Sequence, residues 1–564
     1  MQGYAFANGP ETRCDWNTIP WRDANRLVRN LRQRIFRATE QGDWRKVKSL
    51  QKLMLRSYAN LVLSVRRVSQ INQGKHTAGI DKLVVKTPEE RGKLVDEIAQ
   101  LTPWRAKPVR RVYIPKANGK LRPLGIPVIR DRALQAIVKN ALEPSWEARF
   151  ERTSYGFRPG RSAQDAMTYI YCAMHLKNKP YVVDADIAGA FDNIRHDYLL
   201  SAIADFPAKA LVKQWLKAGY IDMGHYHDTE AGVPQGGVVS PLLANIALHG
   251  LEELFDIHPT PNRKTANPYF MTRYADDFLV FCKTREDAQE AIERLQTWLA
   301  QRGLALSTEK TRITTIQEGF DFLGFTARVV PSTLNKSGWK VLITPSVKSV
   351  QKLKDRLKQE WESLQGQNVA TVIQRLNPII RGWANYFRHQ AAANTFKDLD
   401  NFMLYKEIRY AKRMHPNRSK AWWKAQYFGQ LEPDSHCQWV FGNPQTKFRL
   451  LRFARFTISR HIMVQGTNSP DDPKLRAYWC QRERRKGHEL PAQQRRLAQR
   501  QHGLCPVCGE SLFSDETLEQ HHIIARKSGG LNTLDNKILV HYLCHQQLTS
   551  QQHKHGVFRS QQSA

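Results

Sequence analysis

The sequence predicts a multidomain α+β fold, and three observations support this prediction. Apolar runs of strand length alternate with amphipathic helical stretches between residues 110 and 304. Helical periodicity dominates from about residue 346, and cysteine and histidine residues cluster in residues 501–564. A chain of 564 residues with 41% hydrophobic residues is long and apolar enough for several buried cores.

The charge balance is strongly basic, with 86 lysine and arginine residues against 52 acidic ones and a formal net charge of +34. This excess predicts a polyanionic partner, nucleic acid above all, and a generally basic surface is the alternative. No apolar stretch approaches the ~18 residues of a membrane span, and the first residues lack a signal-peptide pattern. We therefore expect an intracellular protein with no membrane partner. Eight cysteines are too few for a disulfide scaffold.

The first predicted elements are helices. Residues 21–70 place apolar residues at helical spacing between many arginines and predict amphipathic helices. The two glycines in residues 72–81 interrupt this pattern and predict a loop. In residues 110–127, two short apolar runs flank Asn118-Gly119, a dipeptide typical of tight β-hairpins.

The middle elements combine strands with acidic residues. Residues 181–191, YVVDADIAGAF, predict a strand followed by a helix, and residues 231–255 predict a glycine-rich loop that enters a helix. Residues 268–281, PYFMTRYADDFLVF, predict two strands joined by a tight turn. Residues 286–304 predict an amphipathic helix that ends near Gly303.

Two adjacent carboxylates, Asp276 and Asp277, lie between the apolar runs of that second hairpin. Burying acidic groups in an apolar setting is costly unless a cation compensates them. Phosphoryl transfer uses such acids, because its two metal ions, about 4 Å apart, need carboxylate ligands. A third acid could be Asp184 or Asp186, which share a strand face, and position alone does not choose between them. The alternative for the pair is a solvated turn.

Four motifs make the interpretation specific. In chain order they are LRPLGIP, DIAGAFDNI, AGVPQGGVVSPLLANI and YADD. They resemble the matching blocks of reverse transcriptases, and together they resemble the proteins encoded by bacterial group II introns. The resemblance implies a right-hand polymerase with fingers and palm. It makes Asp186, Asp276 and Asp277 the catalytic ligands of two Mg²⁺ ions and selects Asp186 over Asp184.

The same resemblance implies nucleotide-binding residues. Lys116 and Arg122 would reach the incoming triphosphate, Gln235 would lie against the nascent base pair, Lys310 near the triphosphate and Phe191 against the sugar 2′ position. For the basic residues a solvated surface is the alternative, and Phe191 fits an ordinary core as well. The motif FDFLGF resembles a primer-gripping hairpin, and a buried aromatic hairpin is equally compatible with it.

The motif LNPIIRGWANYFRH resembles the thumb or maturase domain of intron-encoded proteins. Trp383, Tyr386 and Phe387 share a helix face and are expected in the core. Arg381 and Arg388 frame them and are expected to bind RNA, because interleaved basic and aromatic residues suit phosphate contacts and base stacking.

The C-terminal cysteines and one histidine have metal-site spacing. Cys505 and Cys508 form CxxC, and His541 and Cys544 form HxxC. The set predicts a structural Zn²⁺ that would stabilise so short a domain. Free thiols are the alternative.

The remaining polar residues there resemble an HNH endonuclease, in which two strands and a helix grip a divalent ion. The resemblance makes His522 the general base that activates water. His521 and His545 would hold the nuclease metal, Mg²⁺ or a similar ion, and Asn536 would orient the base or the hairpin. The roles of His521 and His522 stay open, and a shifted zinc pair is the alternative for the doublet.

The resemblances imply five regions along the chain. These are an N-terminal helical extension with the RT0 loop (1–95), reverse transcriptase fingers and palm (96–340), a helical thumb or maturase domain (341–440), a basic DNA-binding region (441–500) and a small zinc-stabilised ββα HNH domain (501–564).

We therefore expect a protein that binds group II intron RNA to promote splicing, nicks double-stranded target DNA and copies RNA into DNA from dNTPs by target-primed reverse transcription. We expect it in the bacterial cytoplasm, associated with the nucleoid as a ribonucleoprotein. Two alternatives are a free-standing reverse transcriptase with a nuclease, and an RNA-binding splicing cofactor with decayed enzymes.

Overall fold

The computed structural model describes most of the chain. The described residues are 13–100, 104–115, 119, 121–176, 178–257, 267–432, 434–487, 490–514 and 516–555. Lys116 and the turn residue Asn118 of the first predicted hairpin lie outside them.

Four helices form the N-terminal part, as predicted for most of it. They are α1 (Trp21–Glu40), α2 (Trp44–Leu55), α3 (Tyr58–Arg66) and α4 (Pro88–Ala99). Helix α1 buries residues at alternating three- and four-residue spacing, so one apolar stripe faces the core. Most of its arginines are exposed, whereas Arg32 is largely buried and forms ion pairs with Glu143 and Asp471. Helices α2, α3 and α4 each begin at a side chain that accepts a hydrogen bond from the first turn, namely Asp43, Ser57 and Thr87.

The next part mixes helices and strands. Its helices are α5 (Ile129–Glu147), α6 (Ala163–His175), α7 (Ala190–Asn193), α8 (His196–Ala202), α9 (Lys209–Leu216), α10 (Ser240–Ala247), α11 (Leu251–Leu254) and α12 (Arg285–Ala300). Its strands are β1 (Val109–Pro115), β2 (Leu121–Ile126), β3 (Tyr181–Asp186), β4 (Tyr220–Asp222), β5 (His225–His227), β6 (Tyr269–Tyr274), β7 (Asp277–Cys282), β8 (Arg312–Thr315), β9 (Phe320–Phe322), β10 (Phe325–Pro331) and β11 (Trp339–Pro345).

These strands form three sheets among the described residues, with orders β2-β1-β4-β5, β6-β7-β3-β8 and β11-β10-β9. Both predicted hairpins are confirmed, because β1 pairs with β2 and β6 with β7 in antiparallel register. The central sheet separates two cores. Phe278 and Val280 of β7 face one core, and Leu279 and Phe281 face the other, which explains the unbroken apolar run after the two aspartates.

The helical part contains α13 (Val347–Ser363), α14 (Val369–Phe387), α15 (Ala393–Met414) and α16 (Lys420–Tyr427), followed by the small sheet β12 (Phe428–Gly429), β13 (Val440–Asn443) and β14 (Phe448–Arg449). Phe441 of β13 lies 5.8 Å from Trp361 of α13 and 5.6 Å from Tyr410 of α15, measured between ring centroids. The expected boundary between residues 440 and 441 therefore falls inside a strand that packs with the helices.

Glu407 of α15 is a buried carboxyl group in this part. The pKa of Glu407 is raised to about 8, mainly by burial and to a smaller extent by the negative charge of Asp400. The positive charge of Arg452 opposes part of this rise. The folded state thus keeps a proton that the unfolded chain releases above its ordinary pKa of 4.5. The free energy of unfolding should fall as the pH rises from about 4.5 to about 8, because the folded state binds more protons there.

The variant Glu407→Gln should not lose stability in this pH range, because a neutral amide replaces the group that becomes charged. Above pH 8 its free energy of unfolding should exceed that of the wild type by about 2–4 kcal/mol. Thermal unfolding between pH 5 and 9 would show a variant whose Tm exceeds that of the wild type increasingly with pH. The exposed Glu362 of α13, changed to glutamine, is the control and should show no such trend. Parallel Tm curves for Glu407→Gln and wild type would contradict the raised pKa.

Residues 457–487 run back along the mixed part. Asp165, at the start of α6, accepts hydrogen bonds from His461 Nε2 at 2.9 Å and from the backbone N–H of Val464 at 2.8 Å. Trp479 covers Gly160, where a Cβ would lie 2.6 Å from its ring. Helices α17 (Arg476–Lys486) and α18 (Ala492–Arg500) follow. Much of the predicted DNA-binding region therefore packs against the mixed helix and strand part of the protein.

The last elements are β15 (Leu518–His522), β16 (Lys537–His541) and α19 (Tyr542–His555), with β15 antiparallel to β16. This is the ββα arrangement expected from the sequence. None of the helices in the described part combines the length and apolarity needed to cross a bilayer.

Candidate functional site

The three predicted catalytic acids converge at one edge of the central sheet. Strands β6 and β7 are joined by a turn of two residues, Ala275 and Asp276, in which Ala275 has a φ of +58°. Asp277 begins β7 and is paired in register with Asp186, the last residue of β3. A Cβ at Gly156 would lie 2.3 Å from the backbone nitrogen of Ala275, so the absence of a side chain there lets a neighbouring loop support the turn.

The strand register distinguishes the two acids of β3. Asp184 is paired with Leu279 and forms an ion pair of 3.2 Å with Arg312. Asp186 lies two residues nearer the edge and forms an ion pair of 2.7 Å with Lys310 Nζ. The structure therefore brings Asp186, and not Asp184, opposite Asp277.

The charges at this edge suit a bound cation. The side chain of Asp277 reaches solvent, but partial loss of hydration raises its pKa, and the nearby charges of Asp276 and Asp186 raise it further, to about 7. Lys310 lowers it in part. Three carboxylates in close proximity repel one another, and oxygen ligands of this kind fit Mg²⁺. The residues present thus fit the metal that the sequence predicts.

Arg122 and Gln235 are hydrogen-bonded to each other. The Nε of Arg122 donates to Gln235 Oε1 at 2.9 Å, and Gln235 Nε2 donates to Asp192 Oδ2 at 3.5 Å. The backbone N–H of Gly125 donates to the carbonyl of Gln235 at 2.7 Å. A Cβ at Gly236, where φ is +124°, would lie 2.6 Å from the carbonyl oxygen of Gly125. The glycine-rich loop is therefore held against β2.

Phe191 lies in the short helix α7, which begins directly after the left-handed Gly189 and shortly after Asp186 at the end of β3. Its side chain is 8% exposed, and its carbonyl accepts a hydrogen bond of 2.6 Å from the backbone N–H of Val233. Phe191 thus lies in the core, shortly after Asp186 along the chain, and both predictions for this residue remain compatible with the structure.

The predicted aromatic hairpin and the helical motif pack together. Strands β9 and β10 are joined through Leu323 and Gly324, both with positive φ. The hydroxyl of Tyr386 donates to the carbonyl of Leu323 at 2.9 Å. The hairpin aromatics and Phe387 are buried, as the core interpretation predicts, whereas Trp383 and Tyr386 are half-buried and pack against the same core.

The two arginines of that motif differ in their surroundings. Arg381 is exposed on α14. The Nε of Arg388 donates to the carbonyl of Thr457 at 3.0 Å, so this guanidinium also helps to hold the following segment.

Cys505, Cys508, His541 and Cys544 are all buried, and their ligand atoms lie within 4.8 Å of one another. His541 Nε2 lies 3.0 Å from the carbonyl oxygen of Ser511, which can only accept, so this nitrogen carries the proton. Nδ1 is left to face the sulfur atoms, 3.3 Å from Cys508 Sγ. The donor set and the fixed tautomer fit a tetrahedral zinc site.

His521 and His545 also come together, with ring centroids 5.0 Å apart. Burial lowers the pKa of His521 to about 4, and His545 and His522 lower it as well, so its ring is neutral and able to bind a metal. Glu519 Oε2 lies 2.5 Å from His545 Nδ1. Glu519 was not among the residues predicted from the sequence, although its two-residue spacing from His521 on β15 places both on one face.

His522 and Asn536 take different positions. His522 Nε2 lies 3.2 Å from Asn532 Oδ1, an arrangement that leaves Nδ1 as the atom able to accept a proton. Asn536 accepts from the N–H of Ile524 at 2.8 Å and donates to the carbonyls of Ile524 and Leu531. Its contacts therefore favour the role of fixing the hairpin over that of orienting the base.

Family comparisons follow the chain in the same order as these sites. The N-terminal domain of reverse transcriptase matches residues 16–98, and reverse transcriptase (RNA-dependent DNA polymerase) matches 114–327. The group II intron maturase-specific domain matches 350–428, and HNH endonuclease matches 505–551. Protein YkfC of Escherichia coli (strain K12) is 32% identical over 330 residues, which cover 52% of this chain and 82% of YkfC. The chain belongs to the group II intron-encoded proteins.

Two other relatives are named as intron proteins. Group II intron-encoded protein LtrA of Lactococcus lactis subsp. cremoris is 33% identical over 353 residues, covering 51% of this chain and 59% of LtrA. The putative COX1/OXI3 intron 2 protein of Saccharomyces cerevisiae is 23% identical over 520 residues, covering 78% of this chain and 57% of that protein. The alignments thus span less than two thirds of either relative.

As a group II intron-encoded protein, the chain unites an RNA-dependent DNA polymerase, a maturase domain and an HNH endonuclease. The maturase and reverse transcriptase domains imply intron RNA and nucleic-acid substrates. The carboxylate edge lies within the reverse transcriptase match, and the cysteine and histidine clusters lie within the endonuclease match. Both enzyme families typically use divalent metals.

Proposed function

We propose that Asp186, Asp276 and Asp277 hold two Mg²⁺ ions for DNA synthesis. Such a pair of ions activates the attacking oxygen and stabilises the leaving one. The register that sets Asp186 opposite Asp277 is the observation that carries this proposal. In the free protein Lys310 neutralises Asp186, and it would be released toward the triphosphate when the metal takes its place.

Arg122 and Gln235 form the proposed contact with the incoming dNTP. The guanidinium of Arg122 has further N–H groups for phosphate oxygens while Nε stays on Gln235. Gln235, fixed on both sides, would present the loop backbone to the nascent base pair. Lys116 completes the set by resemblance only, because it lies outside the described residues.

Phe191 is proposed to exclude ribonucleotides through its ring. The variant Phe191→Val should increase the use of ribonucleotides relative to deoxynucleotides by roughly tenfold or more, because removal of the ring makes room for a 2′-OH. Primer extension with matched dNTP and rNTP series would give the ratio of the two kcat/KM values. The neighbouring Ile194→Ala loses a comparable amount of buried contact and should leave this ratio unchanged. An unchanged ratio in Phe191→Val would restrict the residue to a core role.

In the nuclease, His522 Nδ1 is proposed to take the proton from the attacking water. His521 and His545 would hold a divalent ion that stabilises charge on the scissile phosphate, with Glu519 positioning His545. Asn536 keeps the hairpin between β15 and β16 in shape. The separate Cys505, Cys508, His541 and Cys544 set would hold a structural Zn²⁺.

The outer surface of α15 supports binding of intron RNA. Tyr405 is 77% exposed, and Arg409 and Lys412 follow at four and seven residues along the same helix face. An exposed ring beside cations suits base stacking and phosphate contacts. With Arg381 on α14, this surface is the proposed maturase contact.

Combined, these sites support a mobility cycle. The protein binds its intron RNA and promotes splicing, the intron enters one strand of double-stranded target DNA, the nuclease nicks the other strand, and the polymerase extends the new 3′ end with dNTPs. This is target-primed reverse transcription.

Purification from the native host, followed by sequencing of the bound RNA, tests the proposal. One dominant structured RNA containing this reading frame is expected, and a mixed RNA population would favour a free-standing reverse transcriptase. The double variant Tyr405→Ala, Arg409→Gln should reduce recovery of that RNA at least about tenfold, because it removes a stacking and a phosphate contact. Arg294→Gln, on the exposed face of α12, is the control.

A further inference from the structure

The nuclease domain packs on the N-terminal helices through the loop that carries its first two cysteines. Asn25 of α1 donates to the carbonyl oxygen of Cys508 at 3.0 Å, and Arg29 forms an ion pair with Glu510. A Cβ at Gly509 would lie 3.1 Å from a side-chain carbon of α1. The loop backbone thus lies directly against α1, so the shape of this loop determines the contact.

Helix α19 extends the same interface. Gln547 Nε2 donates to the carbonyl oxygen of Asn17 at 3.1 Å. Trp16, Trp21 and Leu548 belong to one continuous buried core. The nuclease domain is therefore packed on the N-terminal part, and is not merely tethered to it.

Arg66 connects this interface to the cysteine and histidine set. It is the last residue of α3 and only 5% exposed. Its Nη2 donates to Cys544 Sγ at 3.4 Å, and its guanidinium lies 4.5 Å from the ring centroid of Trp21. A buried guanidinium needs a counter-charge, and the sulfur of Cys544 is the partner placed to supply it.

A divalent ion held by three thiolates and one neutral imidazole forms a centre with net negative charge. Such a centre attracts a cation, and thiolate sulfur accepts hydrogen bonds from groups around it. Without the ion, the loop of Cys505 and Cys508 loses its anchor, and Arg66 loses its counter-charge. Both losses act on the surface that α1 and α3 contact.

We infer that Arg66 couples the metal centre to the N-terminal helices, so that the nuclease domain stays docked on α1 and α3 only while the centre holds its metal. The inference rests on the structural zinc proposed above. It assigns to Arg66 a positioning role outside both catalytic sites.

The first test measures metal retention in the full-length protein. Arg66→Met keeps the length of the side chain and removes its charge, and it should lose zinc to a chromogenic chelator at least about tenfold faster than the wild type. Arg67→Met, at the exposed neighbouring position, is the matched control and should behave as the wild type. Arg66→Lys keeps the charge, and its rate of zinc loss should lie between those of the wild type and Arg66→Met. Retention in Arg66→Met equal to that of the wild type would overturn the role of Arg66.

The second test measures docking by hydrogen exchange. Removing zinc from the wild-type protein with a chelator that spares Mg²⁺ should accelerate exchange in residues 16–29, which face the nuclease domain. Cys544→Ser should have the same effect, which keeps the test available if Arg66→Met does not fold. Unchanged exchange after zinc removal would overturn metal-dependent docking. Metal analysis of the purified wild type comes first, and absence of zinc would overturn the structural metal and this inference together.

Discussion

Replacing Asp186 with asparagine is expected to reduce RNA-templated primer extension by at least about a thousandfold, or about 4 kcal/mol in activation free energy. The substitution keeps the shape of the side chain and removes one negative charge opposite Asp277. Asp276→Ala should have a comparable effect, because this turn residue is proposed to supply another metal ligand. Single-turnover extension of a DNA primer on an RNA template measures the loss.

Asp184→Asn is the matched control for this prediction. It makes the same chemical change on the same strand, two residues away, at a position paired with Arg312 instead of Asp277. Activity within a few-fold of the wild type is expected. Loss of activity in Asp184→Asn together with retention in Asp186→Asn would show that the wrong acid of β3 had been chosen.

Replacing His522 with alanine is expected to reduce DNA nicking by a factor of about 10²–10⁴ and to leave primer extension intact. The imidazole of His522 is the group proposed to accept the proton of the attacking water, and it belongs to the endonuclease domain and not to the carboxylate edge. Nicking of a supercoiled plasmid that carries the target site measures the first activity. Primer extension by the same preparation measures the second and reports on folding.

His521→Ala separates the base from the metal ligand. Loss of a ligand weakens metal binding, so its nicking should recover in part as the metal concentration rises, whereas that of His522→Ala should not. If the nicking activity of His522→Ala recovered with metal and that of His521→Ala did not, His521 would be the base and His522 the metal ligand. Normal nicking by His522→Ala at all metal concentrations would exclude it as the base.

Local patterns predicted the elements well, because they depend on residues that are neighbours in the chain. The alternation in residues 268–281 predicted the hairpin of β6 and β7, and the CxxC and HxxC spacing predicted the buried cluster of three cysteines and one histidine. The N-terminal helices were predicted from spacing that α1 realises in its buried stripe.

Features that depend on distant parts of the chain were not predictable in this way. The residue pattern alone left Asp184 and Asp186 equivalent, and the choice of Asp186 came from the family resemblance; the register with β7 is what places Asp186 opposite Asp277. The contacts of Arg66 with Cys544 and of Asp165 with His461 join residues several hundred positions apart. Glu519 gave a weak signal, because one acid on a short strand is usually a solvated residue.

The docking of residues 461–479 on the mixed part has a consequence for how DNA is cut. This segment leads into the nuclease domain, which itself packs on the N-terminal helices. The two active centres are thus carried on one body, and the path that the nicked 3′ end takes to the polymerase becomes a property of the fold. The target DNA has to follow that path, so we expect the ease with which a duplex bends or unwinds to contribute to the choice of insertion site.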